Sequence, residues 1–353
     1  MDGMSWLIEV VVKLLVVLGL LLTAVAYVIL AERRICAFIQ DRLGPNRAGV
    51  SGLLQPACDA VKALFKEDYT PPHVRPVLFT VAAGLAMSPA ILVIALIPFG
   101  SVFLGKKAVV SDLNVGILYL LAVGVLSVHA ILLAGYASNS KYPLLGGLRA
   151  AAQLVSYEVL FGLSIVPVVM FSGSLSLTGI VQAQAEKTAV FGGLLTLPSW
   201  FVWRNPSTTL AFLTFLVALF AELNRAPFDF PEAEQELAGG YNVEYSSMRF
   251  AMFFLGEYAN IIVGSAVAVT LFLGGWTLPI TGLDTAAESM WTGLLQVFVF
   301  VGKVAMMVLG IIWVRWMWPR LRFDQLMDLS WARLIPLAMG NVIFAVILLI
   351  AGW

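Results

Sequence analysis

Residues 7–34 read LIEVVVKLLVVLGLLLTAVAYVILAERR. From Leu7 to Ala31 the only charges are Glu9 and Lys13, both near the start, and the run closes on Glu32-Arg33-Arg34. About 20 apolar residues are needed to cross the hydrocarbon core of a bilayer, and this stretch has enough. Backbone groups inside lipid find no water, so such a segment crosses as a helix. Ala24-Val25-Ala26 imitates a signal-peptidase site, but Asp2 and Glu9 precede the apolar run and arginines follow it. A cleaved signal has the opposite charge order and a shorter apolar core. The segment is therefore expected to remain as a first span.

Further runs of this kind fall near 76–97, 113–136, 150–172, 207–222, 248–275, 292–314 and 333–352. The fifth is short as written, and its start is sought within Trp200–Trp203. The expected fold is an all-α polytopic membrane protein of about eight transmembrane helices, with residues 1–353 forming a single membrane domain. Composition agrees: 60% of the 353 residues are hydrophobic and 12% are charged, about half the usual charged share of roughly 25%. The mean hydropathy is +0.93. A soluble fold of this length could not hide that much apolar surface. The ten tryptophans lie at or beyond the ends of the runs, where an amphipathic ring prefers the membrane interface. Pro89 and Pro167 fall inside spans, which neighbouring helices tolerate. No internal repeat or low-complexity linker is evident.

Charge sets the orientation. The 21 basic and 21 acidic residues cancel, so no global field points to nucleic acid. Fifteen basic residues lie in or beside the odd loops, whereas the even loops hold only Lys106, Lys107, Lys187 and Arg204. That bias places the odd loops in the cytoplasm and both termini outside. The two cysteines, Cys36 and Cys58, and the two histidines, His73 and His129, make no spacing that binds zinc, haem or an iron–sulfur cluster. Any electrons must come from another protein.

Chemistry is expected in the odd loops. In the first, Leu53, Leu54, Ala57, Val61, Leu64 and Phe65 recur at helical spacing, with Gln55, Asp59, Lys62 and Lys66 on the other face. A helix over 53–66 is too short to cross, so it lies on the bilayer surface. Two readings stand: a surface anchor, or the lid of a chamber that admits a lipophilic molecule. In the fifth loop, Glu222, Asp229, Glu232, Glu234, Glu236 and Glu244 face only Arg225 and Arg249. Acidic runs are commonly solvated faces. Here Pro227, Phe228, Phe230 and Pro231 make the segment look packed, and crowded carboxylates of such a loop titrate nearer neutrality. They would take and release protons as a nearby charge changes.

Other ionisable groups reach inward. Glu158 lies nine residues beyond Arg149, about 13 Å along a helix; Glu257 lies eight beyond Arg249, about 12 Å; Lys303 lies twelve before Arg315, about 18 Å. His129 sits mid-span. Each alone could be a satisfied core group or a structural ion pair. Together they suggest a hydrated proton path.

Taken in order, several stretches resemble the family of H-type membrane subunits (subunit 1) of respiratory complex I, the proton-pumping NADH:quinone oxidoreductase. They are Glu32-Arg33-Arg34, Arg42 with Gly44-Pro45-Asn46, and Gly52-Leu53-Leu54-Gln55-Pro56 with Asp59 and Lys62. Ala137-Ser138-Asn139-Ser140, Leu148-Arg149-Ala150 and Ser156-Tyr157-Glu158 continue the match. Next come Ala221-Glu222, Asn224-Arg225, Pro227-Phe228-Asp229, the Glu232/Glu234/Glu236 run, Asn242-Val243-Glu244-Tyr245 and Glu257-Tyr258. Pro319-Arg320 and Asp324-Gln325-Leu326-Met327 complete it.

The resemblance implies a quinone chamber near Arg33, Arg42, Asp59 and Phe230, to which Lys62, Phe65 and Phe228 are added as candidates. It also implies a proton route beginning at Glu158, Glu222, the fifth-loop carboxylates and Glu257. It further implies quinone as the substrate, flavin and iron–sulfur clusters held by partner subunits, and a bacterial-type inner membrane shared with other membrane-arm subunits. Competing readings are the equivalent subunit of a membrane-bound hydrogenase or formate-oxidising complex, and a stand-alone transporter. The paired halves with broken helices that many transporters show are not seen.

Overall fold

An apolar run need not end its helix where the apolar residues end. In the computed structural model, which describes residues 3–103, 106–190, 195–231, 239–278, 287 and 289–352, α1 (Gly3–Ile39) continues through Arg33-Arg34. The other helices are α2 (Gln55–Phe65), α3 (Pro76–Ile94), α4 (Gly116–Ala137), α5 (Lys141–Ser172), α6 (Leu177–Ala185) and α7 (Pro206–Glu222). They are followed by α8 (Ser247–Phe272), α9 (Met290–Met317), α10 (Phe323–Asp328) and α11 (Ile335–Ile350). A π-helical turn at Leu329–Leu334 joins α10 and α11 into one rod. Two short antiparallel hairpins complete the fold: β1 (Val102–Phe103) with β2 (Lys106–Lys107), and β3 (Lys187–Val190) with β4 (Leu195–Pro198).

Seven helical stretches among the described residues are long and apolar enough to cross a membrane. The shorter α7, of 17 residues, covers about 26 Å at 1.5 Å per residue. Its start is set by Pro206 at the first helical position, which needs no amide proton there, and by Thr208 Oγ1 accepting from Asn205 N at 3.2 Å. α9 opens on a reciprocal cap, Ser289 Oγ accepting from Thr292 N at 3.3 Å and Thr292 Oγ1 from Ser289 N at 3.1 Å.

Two helices start well before their apolar runs. α5 begins at Lys141 rather than 150, and the last rod begins at Phe323 rather than 333. Both extensions lie outside the apolar runs and are held by packing. Leu326 and Ser330 are fully buried, and the Tyr157 hydroxyl donates to Leu326 O at 3.1 Å.

α8 is the hub, packing against α1, α3, α7 and α9. Its approach to α3 is set by Gly256, where a Cβ would lie 2.6 Å from Ala86 O. α8 ends at Gly274 and Gly275, both at positive φ, a common way to stop a helix. Just beyond that end Trp200 and Trp276 are buried against the protein, and the Trp200 indole N–H donates to Thr277 Oγ1 at 2.9 Å.

Candidate functional site

The ends of α1, α4, α7 and α9 and the starts of α3, α5, α8 and α10 share one end of the bundle. There the structure assembles a buried charge cluster. Arg225, just after α7, places Nη1 3.0 Å from Glu32 Oε1 of α1 and Nε 2.9 Å from Glu257 Oε1 of α8. Arg315 of α9 bonds the same Glu32 oxygen, and the Arg225 guanidinium lies over the Tyr258 ring at 4.6 Å. Glu32 and Arg225 are each 4% exposed. Two acids and two bases cancel, which makes burial of Glu32 and Arg225 tolerable, while Arg315 stays partly exposed. Burial alone would lower the proton affinity of Arg225, but Glu257 and Glu32 more than reverse this, and it stays charged.

The loop that carries Arg225 is tied down on both sides. Gln153 Nε2 of α5 donates to Ala221 O and to Phe228 O, each at 2.9 Å. Arg320 donates to Asp229 O and lies 5.2 Å over the Phe230 ring. Phe228 and Phe230 are thereby buried in a cluster with Tyr157 and Leu326. Both rings pack behind the loop that carries Arg225. Glu232, Glu234 and Glu236 lie outside the described residues.

Two cavities adjoin the cluster. One, of about 40 Å³, is lined by Ser127, Glu222, Asn224, Tyr241, Glu257 and Asn260 among others. The second, of about 80 Å³, includes Gly124, Ser127, Glu158, Phe161, Glu222 and Asn260 in its walls. Helical periodicity makes this possible: Leu120, Gly124 and Ser127 fall on one face of α4, and Asn260, Gly264 and Val267 on one face of α8. Ser127 Oγ donates to Glu222 Oε1 at 3.2 Å. Three carboxylates thus follow one another along two adjoining cavities, Glu257 and Glu222 in the walls of the first and Glu222 and Glu158 in those of the second. Asp229 lies within electrostatic reach of Glu257, and His129 of Glu158; the His129 ring otherwise bonds Val125 O through Nδ1 at 2.8 Å.

On the outer side of the cluster, α2 is strapped across the bundle. Arg33 Nη1 lies 2.7 Å from Asp59 Oδ2, and Gln55 Nε2 donates to Asp59 Oδ1 at 2.9 Å. At the other end Ser247 shares its hydroxyl proton between Lys66 O at 2.7 Å and Ala63 O at 3.1 Å. Arg249 donates to Thr70 Oγ1 at 2.7 Å and lies 3.3 Å from Asp68, while Glu244 lies 3.7 Å from His73 Nε2. Tyr245 stacks on Phe79 with centroids 3.8 Å apart, and burial pushes its phenol pKa up although Arg249 opposes this. Leu54, Val61, Leu64 and Phe65 of the α2 region remain exposed. Lys62 stands on the same helix, and Arg42 is exposed, donating to Gln40 Oε1 at 2.7 Å.

A family model described as NADH dehydrogenase matches residues 12–346. The chain belongs to that family. It is 45% identical to "NADH-quinone oxidoreductase subunit 8" of Rhodothermus marinus, over 94% of each chain. It is 47% identical to an NADH-quinone oxidoreductase subunit of Geobacter sulfurreducens, over 97% of this chain and 94% of the relative. With an NADH-quinone oxidoreductase subunit of Syntrophotalea carbinolica it shares 46%, over 97% and 96%.

In this NADH dehydrogenase family member, four residues of the site were not among the candidates read from the sequence, although Glu32 belongs to a matching motif. Glu32 and Arg315 read as ordinary flanking charges, since their partners are 193 and 283 residues away in the chain. Ser127 and Asn260 are uncharged. The signal for Asn260 was its place three residues after Glu257, on the same helix face of an apolar span.

Lys303 is placed elsewhere. Its ammonium bonds Leu273 O at 2.6 Å, Thr277 O at 2.7 Å and Gly275 O at 2.9 Å, and lies 3.9 Å over the Trp200 ring. These groups lie past the far end of α8, and Leu273 is sixteen residues from Glu257, about 24 Å. Lys303 thus stands apart from the three carboxylates, its ammonium holding carbonyls at and just beyond the end of α8, where a cation is favoured.

Proposed function

We propose that this chain is the membrane subunit of a proton-translocating NADH:quinone oxidoreductase, forming the quinone chamber and the start of the proton route. The observation that carries the reading is the series Glu257, Glu222 and Glu158 along two adjoining cavities, with a buried charge cluster at its head. The names of its relatives supply the reaction. The basic bias of the odd loops supports a cytoplasmic position for this end of the bundle in a bacterial-type cell, where partner subunits would deliver electrons.

α2 is the mouth. Its exposed apolar side chains suit a lipophilic quinone, while Arg33, Asp59, Lys62 and Arg42 meet its polar head or the partner protein. Quinone takes two electrons and two protons to become quinol. Negative charge developing in a poorly hydrated place acts several-fold more strongly than in water. It disturbs the balance of Glu32, Arg225, Glu257 and Arg315, and a proton leaves or enters the series in response. Asp229, Glu244 and the sequence-adjacent Glu232, Glu234 and Glu236 are assigned to the same acidic entrance, with Arg249 as their counter-charge and His129 beside Glu158 at the inner end.

Glu222→Gln in the assembled complex, in closed membrane vesicles, tests this. NADH-driven acidification and the coupled rate should fall at least about tenfold, 1.4 kcal/mol on the barrier. Acidification per electron unchanged from wild type would overturn the proton route.

A further inference from the structure

Ser127, Glu222, Leu223 and Asn260 line both cavities, so together they form the partition between them. Glu222 is the carboxylate of the route itself, and Leu223 is apolar. Ser127 spends its single proton inside the protein, shared between Gly124 O at 2.7 Å and Glu222 Oε1 at 3.2 Å, so it can only accept from water. That makes Asn260 the neutral side chain of the partition that brings both N–H donors and an acceptor oxygen. It stands three residues from Glu257 on α8, about 4.5 Å further along the axis and on the same face.

The larger cavity is walled mostly by apolar groups such as Pro89, Leu120, Phe161 and Val263. Apolar cavities stay dry, whereas water enters where two or more polar partners hold it. Each cavity exceeds the roughly 10–15 Å³ that holding a water requires. Their continuity then depends on what the partition offers. A carboxamide presents two N–H donors and an oxygen with two lone pairs, and it does not titrate. It can hold one water on each side without trapping the proton that passes.

We propose that Asn260 is a positioning residue that joins the water of the two cavities and so permits proton transfer among Glu257, Glu222 and Glu158. This rests on the proton route proposed above. One proton leaves one carboxyl and one arrives at the next, and the intervening waters are unchanged.

Asn260→Leu and Asn260→Ser, in the complete complex in closed vesicles, separate this from a packing role. Leucine fills the space without polar groups; serine opens space and keeps a hydroxyl. Protons moved per electron should fall at least about tenfold in Asn260→Leu and stay within about twofold of wild type in Asn260→Ser. Wild-type pumping by Asn260→Leu, or equal losses in both variants, would overturn the proposal. If Asn260→Leu does not assemble, Asn260→Val is read against Asn260→Ser by the same criterion. Glu158→Gln, measured alongside, keeps the two readings apart: if it pumps normally the route itself fails, whereas if it fails while Asn260→Leu pumps, only the role of Asn260 is lost.

Discussion

Arg225 and Glu32 are 193 residues apart in the chain and 3.0 Å apart in the fold, both almost fully buried. Their contact ties α1 to the loop after α7, and through Glu257 to the hub helix α8. The group is stable only as a balanced set. Removing one member of a buried ion pair typically costs about 3–5 kcal/mol, because a charge is left without its partner.

Arg225→Met should therefore lower the amount of assembled protein in membranes sharply. Adding Glu257→Gln restores the charge balance with Glu32 and Arg315 and should recover part of that loss. The two single variants and the double variant, compared by thermal stability in detergent, give the coupling directly. Strictly additive losses would mean that the four residues do not act as a unit.

Ser247 links α2 to α8 by closing the last carbonyls of α2. Ser247→Ala removes a hydroxyl that serves Lys66 O and Ala63 O, at a cost of about 1 kcal/mol. Amide exchange in residues 55–66 should speed up about fivefold, while exchange in α9 stays unchanged. If α2 is the mouth of the chamber, the KM for quinone should rise with little change in kcat.

Lys303 is expected to behave differently from the carboxylates. Lys303→Met leaves the carbonyls of Leu273, Gly275 and Thr277 without their donor, each buried loss costing about 1–3 kcal/mol. Thermal stability should drop by several degrees, and protons moved per electron in the surviving complexes should match wild type. A lost pumping ratio at normal stability would return Lys303 to the proton path.

Asp112 offers a pH test away from the site. Burial favours its neutral form, but Lys107, Thr178 and Ser176 outweigh that and hold its carboxyl below the usual range. A lowered folded-state pKa adds stability above the ordinary value near pH 4, and that stability is lost as pH falls through the folded value. Asp112→Asn should thus be less stable than wild type by about 1 kcal/mol at pH 7. The two should converge below about pH 3. A difference that persists in acid would place its origin in packing.

Apolar length, basic bias and the tryptophan positions made the all-helical membrane fold readable, because each follows from how one stretch of chain meets lipid. Glu158, Glu222 and Glu257 were also legible, since a charge inside an apolar helix is costly wherever it sits. What each charge faces is another matter. The pairing of Arg225 with Glu32, the capping of α8 by Lys303, the burial of Phe228 and Phe230 behind the fifth loop and the place of Asn260 between two cavities come from helices distant in sequence. A helix's own residues decide that it crosses the membrane and which faces it has. Only the packing of neighbouring helices decides which face meets which, because within lipid the helices are told apart by close contacts and paired polar groups rather than by hydrophobicity.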